Sequence, residues 1–268
     1  FGSLVHAVLE HADPAAPDWR AELARHVREQ LVDWPVDLDP EALADALVTV
    51  CDSPLGPLTD GLTLRGLPMS DRLRELDFEL PIGGGYDAVD QPRLLGDVAG
   101  LLRQHLPIGD PLLDYAAALD DPRLGGQVLL GYLTGSVDLV LRVAGADGAV
   151  RYLICDYKTN WLGDTDAPLT AAHYTPDRLA AAMGHSSYPL QALLYAVVLH
   201  RFLRWRLPDY DPEQHLGGVL YLYLRGMCGA ETPVVEGAPC GVFSWSPPTA
   251  LVTELSDLLD GQRQEAGQ

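Results

Sequence analysis

The sequence has few residues of the kinds that mark secreted, membrane or metal-cluster proteins. Four of its 268 residues are cysteine, and no two of them form a CxxC pair: Cys51, Cys155, Cys228 and Cys240. A zinc or iron–sulfur site is therefore not expected, and buried free thiols in a reducing compartment are. The longest apolar runs, such as residues 192–199, are far shorter than the roughly 20 residues that cross a bilayer. These features predict a cytoplasmic protein with no membrane partner.

Basic residues are also scarce. Lys and Arg number 18 against 38 Asp and Glu, which gives a formal net charge of −20. This charge argues against a protein that coats nucleic acid by broad attraction, so any DNA contact has to be local or shared with a partner. Hydrophobic residues make up 47% of the chain, enough for a globular core. A helical pattern is already running at Leu4, which predicts a segment of a longer chain.

The apolar spacing predicts an α/β protein. Helices are predicted over residues 4–13, 18–34, 40–50, 90–106, 112–119, 189–207 and 248–259. Strands are predicted over residues 72–82, 217–225 and 241–245, and a β-hairpin over 131–158. The hairpin is the clearest of these signals, because two β-branched, apolar-rich runs flank the Ala144–Gly148 turn.

The hairpin predicts that two carboxylates face each other. A turn centred on Asp147 pairs residues whose numbers sum to 294, which places Asp138 opposite Asp156. Two opposed carboxylates repel, so either a cation lies between them or one of them is driven toward its protonated form. Lys158 follows two residues after Asp156 and lies on the same face of its strand. This arrangement is typical of a metal site.

A simpler reading weighs against this interpretation, because an isolated Asp-x-Lys is usually a surface ion pair. Here, however, Asp138 interrupts the apolar run of Val137, Leu139 and Val140, and Asp156 follows residues 153–155. Charges in buried strands are costly and usually have a function, so the metal site is favoured.

Five segments taken together carry a family resemblance. They are GSLVHAVLE (2–10), RELDFELPI (74–82), GYLTGSVDLV (131–140), ICDYKTNWLG (154–163) and residues 188–227, which begin YPLQALLYAVVLHRF. In combination they resemble the C-terminal nuclease domain of RecB subunits, in the PD-(D/E)XK superfamily. The resemblance implies a restriction-endonuclease-like α/β fold, with a central mixed β-sheet flanked by helices and an N-terminal helical region. It implies one domain over 1–268, with a helical part (1–70) and a nuclease core (71–268) that has a helical insertion at about 90–120.

The resemblance also implies a metal site. Its ligands would be His6, Asp138, Asp156 and the backbone carbonyl of Tyr157. Lys158 would be the catalytic lysine. A lone histidine is more often a satisfied core residue, but the family match favours His6 as a ligand. The expected ion is Mg²⁺, with Mn²⁺ accepted and Ca²⁺ bound without turnover.

The remaining site residues are implied less specifically. Glu75 matches a glutamate of the family's first core strand, and a solvated strand edge explains it equally well. Gln191 and Tyr195 match a QxxxY helix and lie on one helical face. The alternative is a helix buried through Tyr195 and Leu194, which leaves only Gln191 facing the site. Arg201 and Arg204 are candidate contacts for the DNA backbone, although solvated charges at a helix end are the simpler explanation.

The implied activity is exonucleolytic hydrolysis of single-stranded DNA in double-strand-break repair and recombination. The implied partners are DNA, a helicase region of the same polypeptide, RecC- and RecD-like subunits, and the RecA recombinase. One alternative is a catalytically silent member of the superfamily that serves as a DNA-end or protein-docking module. Another is a free-standing exonuclease or a Cas4-like enzyme, which the lack of clustered cysteines disfavours.

Overall fold

The computed structural model of the chain describes residues 1–83, 93–145 and 148–260. The helices are α1 (Gly2–His11), α2 (Trp19–Gln30), α3 (Pro40–Cys51), α4 (Asp97–His105), α5 (Tyr115–Leu119), α6 (Pro122–Gly125), α7 (Pro176–Gly184), α8 (Tyr188–Arg206), α9 (Pro212–His215) and α10 (Thr249–Leu259). The strands are β1 (Arg72–Ile82), β2 (Arg93–Leu94), β3 (Val128–Leu129), β4 (Gly131–Ala144), β5 (Val150–Lys158), β6 (Leu216–Tyr223), β7 (Val234–Val235), β8 (Ala238–Pro239) and β9 (Val242–Trp245).

A five-stranded sheet organises the fold, with the strand order β1-β4-β5-β6-β9. The pairs β4–β5 and β6–β9 are antiparallel, and the sheet as a whole is mixed and flanked by helices. Strand β5 lies in its middle, and both of its faces are buried from Leu153 to Tyr157. The predicted fold class is therefore confirmed.

The register of the central hairpin agrees with the prediction. Leu139 pairs with Cys155 and Ala144 with Val150, so the numbers of paired residues sum to 294. The predicted centre of the turn, Asp147, lies outside the described residues. The pairing of the two strands is described up to Leu139 and Cys155. Asp138 directly precedes Leu139, and Asp156 directly follows Cys155, so the two predicted site aspartates lie next to this last pair.

The chain consists of two compact units. The first comprises Phe1–Leu76, Val137–Leu179 and Gly217–Trp245, and the second comprises the described residues of Asp77–Ser136, Ala180–Leu216 and Ser246–Gln268. The core of the first unit joins α1, α2 and α3 to the sheet through buried leucines: Leu4, Leu23, Leu47, Leu141, Leu153 and Leu220. In the second unit, α10 packs against α8 and α4. The assignment of 1–268 to a single domain stays a prediction.

Two predicted helices begin later than expected. The segment predicted as helix from residue 90 contains strand β2, and α4 begins only at Asp97. The Asp97 carboxylate accepts the backbone N–H of Leu94 at 2.9 Å, which fixes a turn before the helix. Similarly, the Asp110 carboxylate accepts the N–H of Leu112 at 2.8 Å, and the regular helix α5 starts at Tyr115. Residues 90–92 lie outside the described residues.

The cysteines follow the prediction with one exception. Cys51, Cys155 and Cys240 are buried free thiols, but Cys228 is exposed, so its predicted burial is wrong. It follows the short helical turn at the end of β6, which leaves the sheet. No helix in the described parts of the chain is long and apolar enough to cross a membrane.

Candidate active site

The Asp138 carboxylate lies at the end of the paired region of β4 and β5. It accepts the backbone N–H of Tyr157 at 2.9 Å, so this side chain bonds to the backbone of the neighbouring strand. Backbone N–H groups buried without a partner are costly, and this bond satisfies one while fixing the carboxylate. The hydrogen bond thus holds Asp138, in the middle of β4, beside the backbone of Tyr157 near the end of β5.

Asp156 and Lys158 form a buried ion pair. The Lys158 ammonium lies 2.5 Å from Oδ2 of Asp156, and Asp156 is only 2% exposed. Lys158 also lies over the ring of Tyr221 on β6, with 5.1 Å between its nitrogen and the ring centroid. Cation–π contact and ion pairing together orient the ammonium. The predicted placement of both charges on one face of β5 is consistent with this contact.

His6 reaches the site from α1. Its Nδ1 lies 3.3 Å from Oδ2 of Asp138, and its ring meets the ring of Tyr157 edge-on, with 5.7 Å between centroids. Leu4, Val5 and Val8 on the same helix are buried in the core, so packing of α1 sets the position of His6. Glu10, four residues after His6 on α1, has a carboxylate oxygen 3.6 Å from Nδ1 of His11.

The environment shifts the pKa values of two of these groups. Burial raises the pKa of Asp156 to about 6; the Lys158 charge opposes this shift and the Asp138 charge adds to it. For His6, burial lowers the pKa, but the hydrogen bond to Asp138 and the charges of both aspartates outweigh it, so the net pKa is raised. The site therefore holds negative charge in a region where such charge is costly, which favours binding of a cation.

The donor set fits a hard divalent cation by its chemistry. Carboxylates and a backbone carbonyl are ligands that Mg²⁺ accepts, and imidazole suits the more tolerant Mn²⁺. Within the described ranges, however, no three His, Cys, Asp or Glu side chains converge closely enough to hold a metal ion. Asp156 is drawn toward Lys158, and Asp138 toward His6 and the Tyr157 N–H. The carboxylates have to release part of these contacts to converge on a cation.

Glu75 has an unusual backbone conformation within β1. Its φ is +45°, a left-handed value that residues other than glycine rarely adopt in a strand. Its side chain is half-buried, whereas those of Asp77 and Glu79 are exposed. Strained residues in strands concentrate at functional sites, which favours Glu75 over its two neighbours as the family glutamate. Its catalytic role stays a prediction.

The QxxxY pair is a hydrogen-bonded unit on α8. The Gln191 amide donates to the Tyr195 hydroxyl at 3.1 Å, and that hydroxyl donates to the Ser136 carbonyl at 2.7 Å. Tyr195 also meets Phe78 edge-on, with 6.1 Å between ring centroids. Both α8 residues are half-buried, so Tyr195 is not simply a core residue. Ser136 precedes Asp138 by two residues in β4, and the roles predicted for Gln191 and Tyr195 stay predictions.

The two candidate arginines differ in their surroundings. Arg201 donates to Oγ of Ser256 at 2.9 Å and pairs with Asp260 at 2.7 Å, and its side chain is mostly buried. These contacts hold α10 against α8. Arg204 is exposed near the end of α8. The contacts of Arg201 therefore favour a packing role, and DNA contact by either residue stays a prediction.

Sequence reasoning gave no role to Tyr221, the residue under the Lys158 ammonium. The apolar pattern of residues 217–225 indicates a buried strand, and a tyrosine is ordinary in such a strand. About 60 residues separate β5 from β6, so no hairpin turn fixes their register. The contact could not be found without the tertiary structure.

Three curated relatives are similar in sequence to this chain over nearly its whole length. The RecB subunit of the RecBCD enzyme from Mycolicibacterium smegmatis is 59% identical over 262 residues, which cover 98% of this chain and 24% of that protein. The RecB subunit from Mycobacterium tuberculosis H37Rv is 59% identical over 272 residues, covering 99% of this chain and 24% of the relative. The Escherichia coli K12 RecB subunit is 31% identical over 269 residues, which cover 98% of this chain and 19% of that protein.

The chain spans about a quarter or less of the length of these relatives. A family model described as the PD-(D/E)XK nuclease superfamily matches residues 1–259. This match confirms the resemblance carried by the five sequence segments, and it includes both strands of the aspartate hairpin. The chain belongs to the PD-(D/E)XK nuclease superfamily.

Proposed function

We propose that this protein is a divalent-metal-dependent DNA nuclease that hydrolyses phosphodiester bonds at the site of Asp138, Asp156 and Lys158. The observation that supports this most is the buried pair of Asp156 and Lys158 at 2.5 Å, beside a second carboxylate at the end of the hairpin. Burying these charges is unfavourable for folding alone. Their retention in a chain of a nuclease superfamily favours a catalytic purpose.

His6, Asp138, Asp156 and the Tyr157 carbonyl would hold the metal ion. When bound, Mg²⁺ offsets phosphate charge and lowers the pKa of water. Lys158 has one of two roles: its ammonium orients the attacking water, or it stabilises negative charge that develops on the phosphate. The water oxygen bonds to phosphorus and the P–O3′ bond breaks, leaving a 5′-phosphate and a 3′-hydroxyl. The proton of the water passes to solvent or to the leaving oxygen.

The finer proposal is exonucleolytic cleavage of single-stranded DNA delivered by a helicase. Relatives named as RecB subunits of the RecBCD enzyme support this context, in which RecC- and RecD-like subunits and a helicase region of the same polypeptide would be partners. The net charge of −20 is compatible with it, because a strand that a motor delivers needs little long-range attraction. Double-strand-break repair in the cytoplasm, with RecA docking on this chain, completes the proposal.

Cleavage of end-labelled single-stranded DNA by the 268-residue chain tests the function. We expect cutting with Mg²⁺ or Mn²⁺, none with Ca²⁺, and losses of at least about 100-fold in Asp156→Asn and Lys158→Met. Asp71→Asn is the matched control, because Asp71 pairs with Arg142 at 2.7 Å within the same unit but outside the site. Equal activity in all four proteins would overturn the assignment of the site.

The silent docking module is the competing function. Isothermal titration of Mn²⁺ into the same proteins separates it from a nuclease. If the unsubstituted chain is inert but binds Mn²⁺, and Asp156→Asn does not, then the site is competent and lacks its partners. If neither protein binds Mn²⁺, the docking module is favoured. The intact set of His6, Asp138, Asp156 and Lys158 supports the nuclease.

A further inference from the structure

Arg225 lies between two aromatic rings next to the candidate active site. Its Nε donates to the carbonyl of Thr159 at 2.9 Å, and its guanidinium carbon lies 5.1 Å from the Phe1 ring centroid and 5.6 Å from that of Trp161. Trp161 is 48% exposed, and Arg225 is exposed as well. The guanidinium is therefore oriented by its surroundings and accessible to a ligand.

Among the residues that the structure describes, no acidic side chain neutralises the charge of Arg225. Other arginines of the chain pair with carboxylates, among them Arg20, Arg25, Arg103 and Arg142. No ion pair joins Arg225 to any Asp or Glu in the described residues. In a chain with 38 acidic residues and a net charge of −20, an exposed arginine held by aromatic rings and a carbonyl offers a local binding point for an anion.

The contact between Arg225 and Thr159 lies next to β5, the strand that contains Asp156 and Lys158. Thr159, which accepts the Arg225 hydrogen bond, directly follows Lys158 in the sequence. The start of α1 is close as well, since a Cβ on Gly2 would lie 3.2 Å from Oγ1 of Thr159. An apolar cavity of about 330 Å³ adjoins the pair, with Thr159 and Arg225 in its wall and Val50 and Met227 among its apolar residues.

We infer that Arg225 and Trp161 form a binding site for single-stranded DNA, in which the guanidinium binds a backbone phosphate and the indole stacks on an adjacent base. Arginine matches phosphate geometry, and stacking on an indole tolerates every base. The open apolar cavity gives a second base a surface away from water. This inference rests on the proposed function and specifies how the strand is held beside Lys158.

Equilibrium binding tests the site without relying on cleavage. The anisotropy of a short fluorescein-labelled oligothymidylate is measured with the 268-residue chain in EDTA. We expect Arg225→Gln and Trp161→Ala each to raise the Kd roughly five- to tenfold, and Trp161→Phe to stay within about twofold because it keeps an aromatic ring. Arg225→Gln should also reduce the slope of log Kd against log salt by about one, and Trp161→Ala should not.

Two other residues of the first compact unit, Trp34 and Arg65, give matched control variants. Trp34 is 47% exposed, close to the value for Trp161, and Arg65 is an exposed arginine that pairs with Asp52. Trp34→Ala and Arg65→Gln should leave the Kd within about twofold of the unsubstituted chain. If these controls weaken binding as much as the Arg225 and Trp161 variants do, the proposed site is wrong.

The outcomes separate this inference from the nuclease assignment. Where the chain cleaves DNA, the Arg225 and Trp161 variants should raise KM and leave kcat within about twofold, since neither residue touches the reacting atoms. Cleavage with unchanged Kd and KM in the variants overturns the binding site and leaves the nuclease intact. If the chain does not cut DNA with any of the metals, but the variants bind the oligonucleotide more weakly, the binding site is supported and the nuclease is overturned. A chain that does not bind the oligonucleotide overturns the site.

Discussion

At the scale of single residues, the candidate site holds a carboxylate where folding alone disfavours one. Asp156 is almost fully buried, with the Lys158 ammonium at 2.5 Å and the charge of Asp138 nearby. Burial raises its pKa to about 6, so this carboxyl takes up a proton far more readily than an exposed aspartate. Its charge state therefore depends on pH in the range where a metal would bind.

Metal affinity should fall in mild acid. Asp156, with a pKa raised to about 6, and His6, whose pKa is also raised, must both lose a proton before they act as ligands. Below pH 6 we expect the apparent Kd for Mn²⁺ to rise at least about tenfold per pH unit, because protons compete for the ligands. Isothermal titration between pH 5 and 8 measures this.

His6→Gln serves as the comparison, since it removes one of the two competing protonations. We expect this variant to bind Mn²⁺ more weakly than the unsubstituted chain does, and the pH dependence of its Kd to be less steep. A Kd that does not change with pH in the unsubstituted chain would exclude Asp156 and His6 as ligands.

At the scale of secondary structure, the end of the central hairpin is held by a side chain. The Asp138 carboxylate accepts the Tyr157 N–H and lies 3.3 Å from His6, so it links β4, β5 and α1. Arg74 on β1 adds a second link, because its guanidinium donates to the Glu10 carbonyl at the end of α1. The position of the proposed metal ligands thus depends on contacts between elements that are distant in sequence.

Two substitutions at Asp138 should separate stability from metal binding. Asp138→Ala leaves the buried Tyr157 N–H without an acceptor, and we expect it to lower the free energy of unfolding by about 1–3 kcal/mol. Asp138→Asn keeps an acceptor oxygen and should cost about half as much or less. Both variants should lose Mn²⁺ binding. Urea unfolding in EDTA gives the stabilities, and equal losses in the two variants would contradict the role of the hydrogen bond.

Helix α8 contains a buried histidine that should make the protein acid-sensitive. His200 donates to or accepts from the Tyr210 hydroxyl at 2.9 Å. Burial lowers its pKa to about 4, and the charges of Arg204 and Arg201 add to this effect. The unfolded chain, with a pKa near 6.5, therefore binds a proton first, so stability is complete above pH 6.5 and is lost as the pH falls toward 4.

The loss attributable to His200 should be about 1–2 kcal/mol between pH 7 and 5. His200→Gln should remove this part of the acid destabilisation, as measured by urea unfolding at both pH values. The exposed His185 gives a matched control, and His185→Gln should retain the full acid sensitivity. If His200→Gln unfolds with the same pH dependence as the unsubstituted chain, the buried neutral histidine is not its cause.

At the scale of the whole molecule, the net charge opposes the proposed substrate. With a charge of −20 the chain repels a DNA strand at long range, and any attraction must come from local groups such as Arg225. We expect the association rate with a labelled oligonucleotide to increase several-fold as salt rises from about 0.02 to 0.15 M, because screening weakens the repulsion. Stopped-flow measurements test this, and a rate that falls over this range would indicate attraction at long range.

Much of the fold follows from local sequence patterns. Strand β1 spans Arg72–Ile82 as predicted, and the hairpin register agrees because the runs of Gly131–Lys158 are long, apolar and close in sequence. The predicted helix starts at residues 90 and 112 were wrong, because α4 begins at Asp97 and α5 at Tyr115. Single Asp side chains cap turns before these helices, and apolar spacing does not reveal them. Errors of this kind arise where one hydrogen bond decides a boundary.

The sequence by itself determined the register of the hairpin and the α/β class, since strand periodicity and a short connection leave one register that buries the apolar face. The opposition of Asp138 and Asp156 extends that register by one pair and stays a prediction. Only the tertiary structure decided that His6 reaches Asp138, that Tyr221 lies under Lys158 and that Arg225 binds Thr159 between two rings. Those contacts join residues at least about 60 positions apart, and packing of separate elements, rather than any local preference, brings them together.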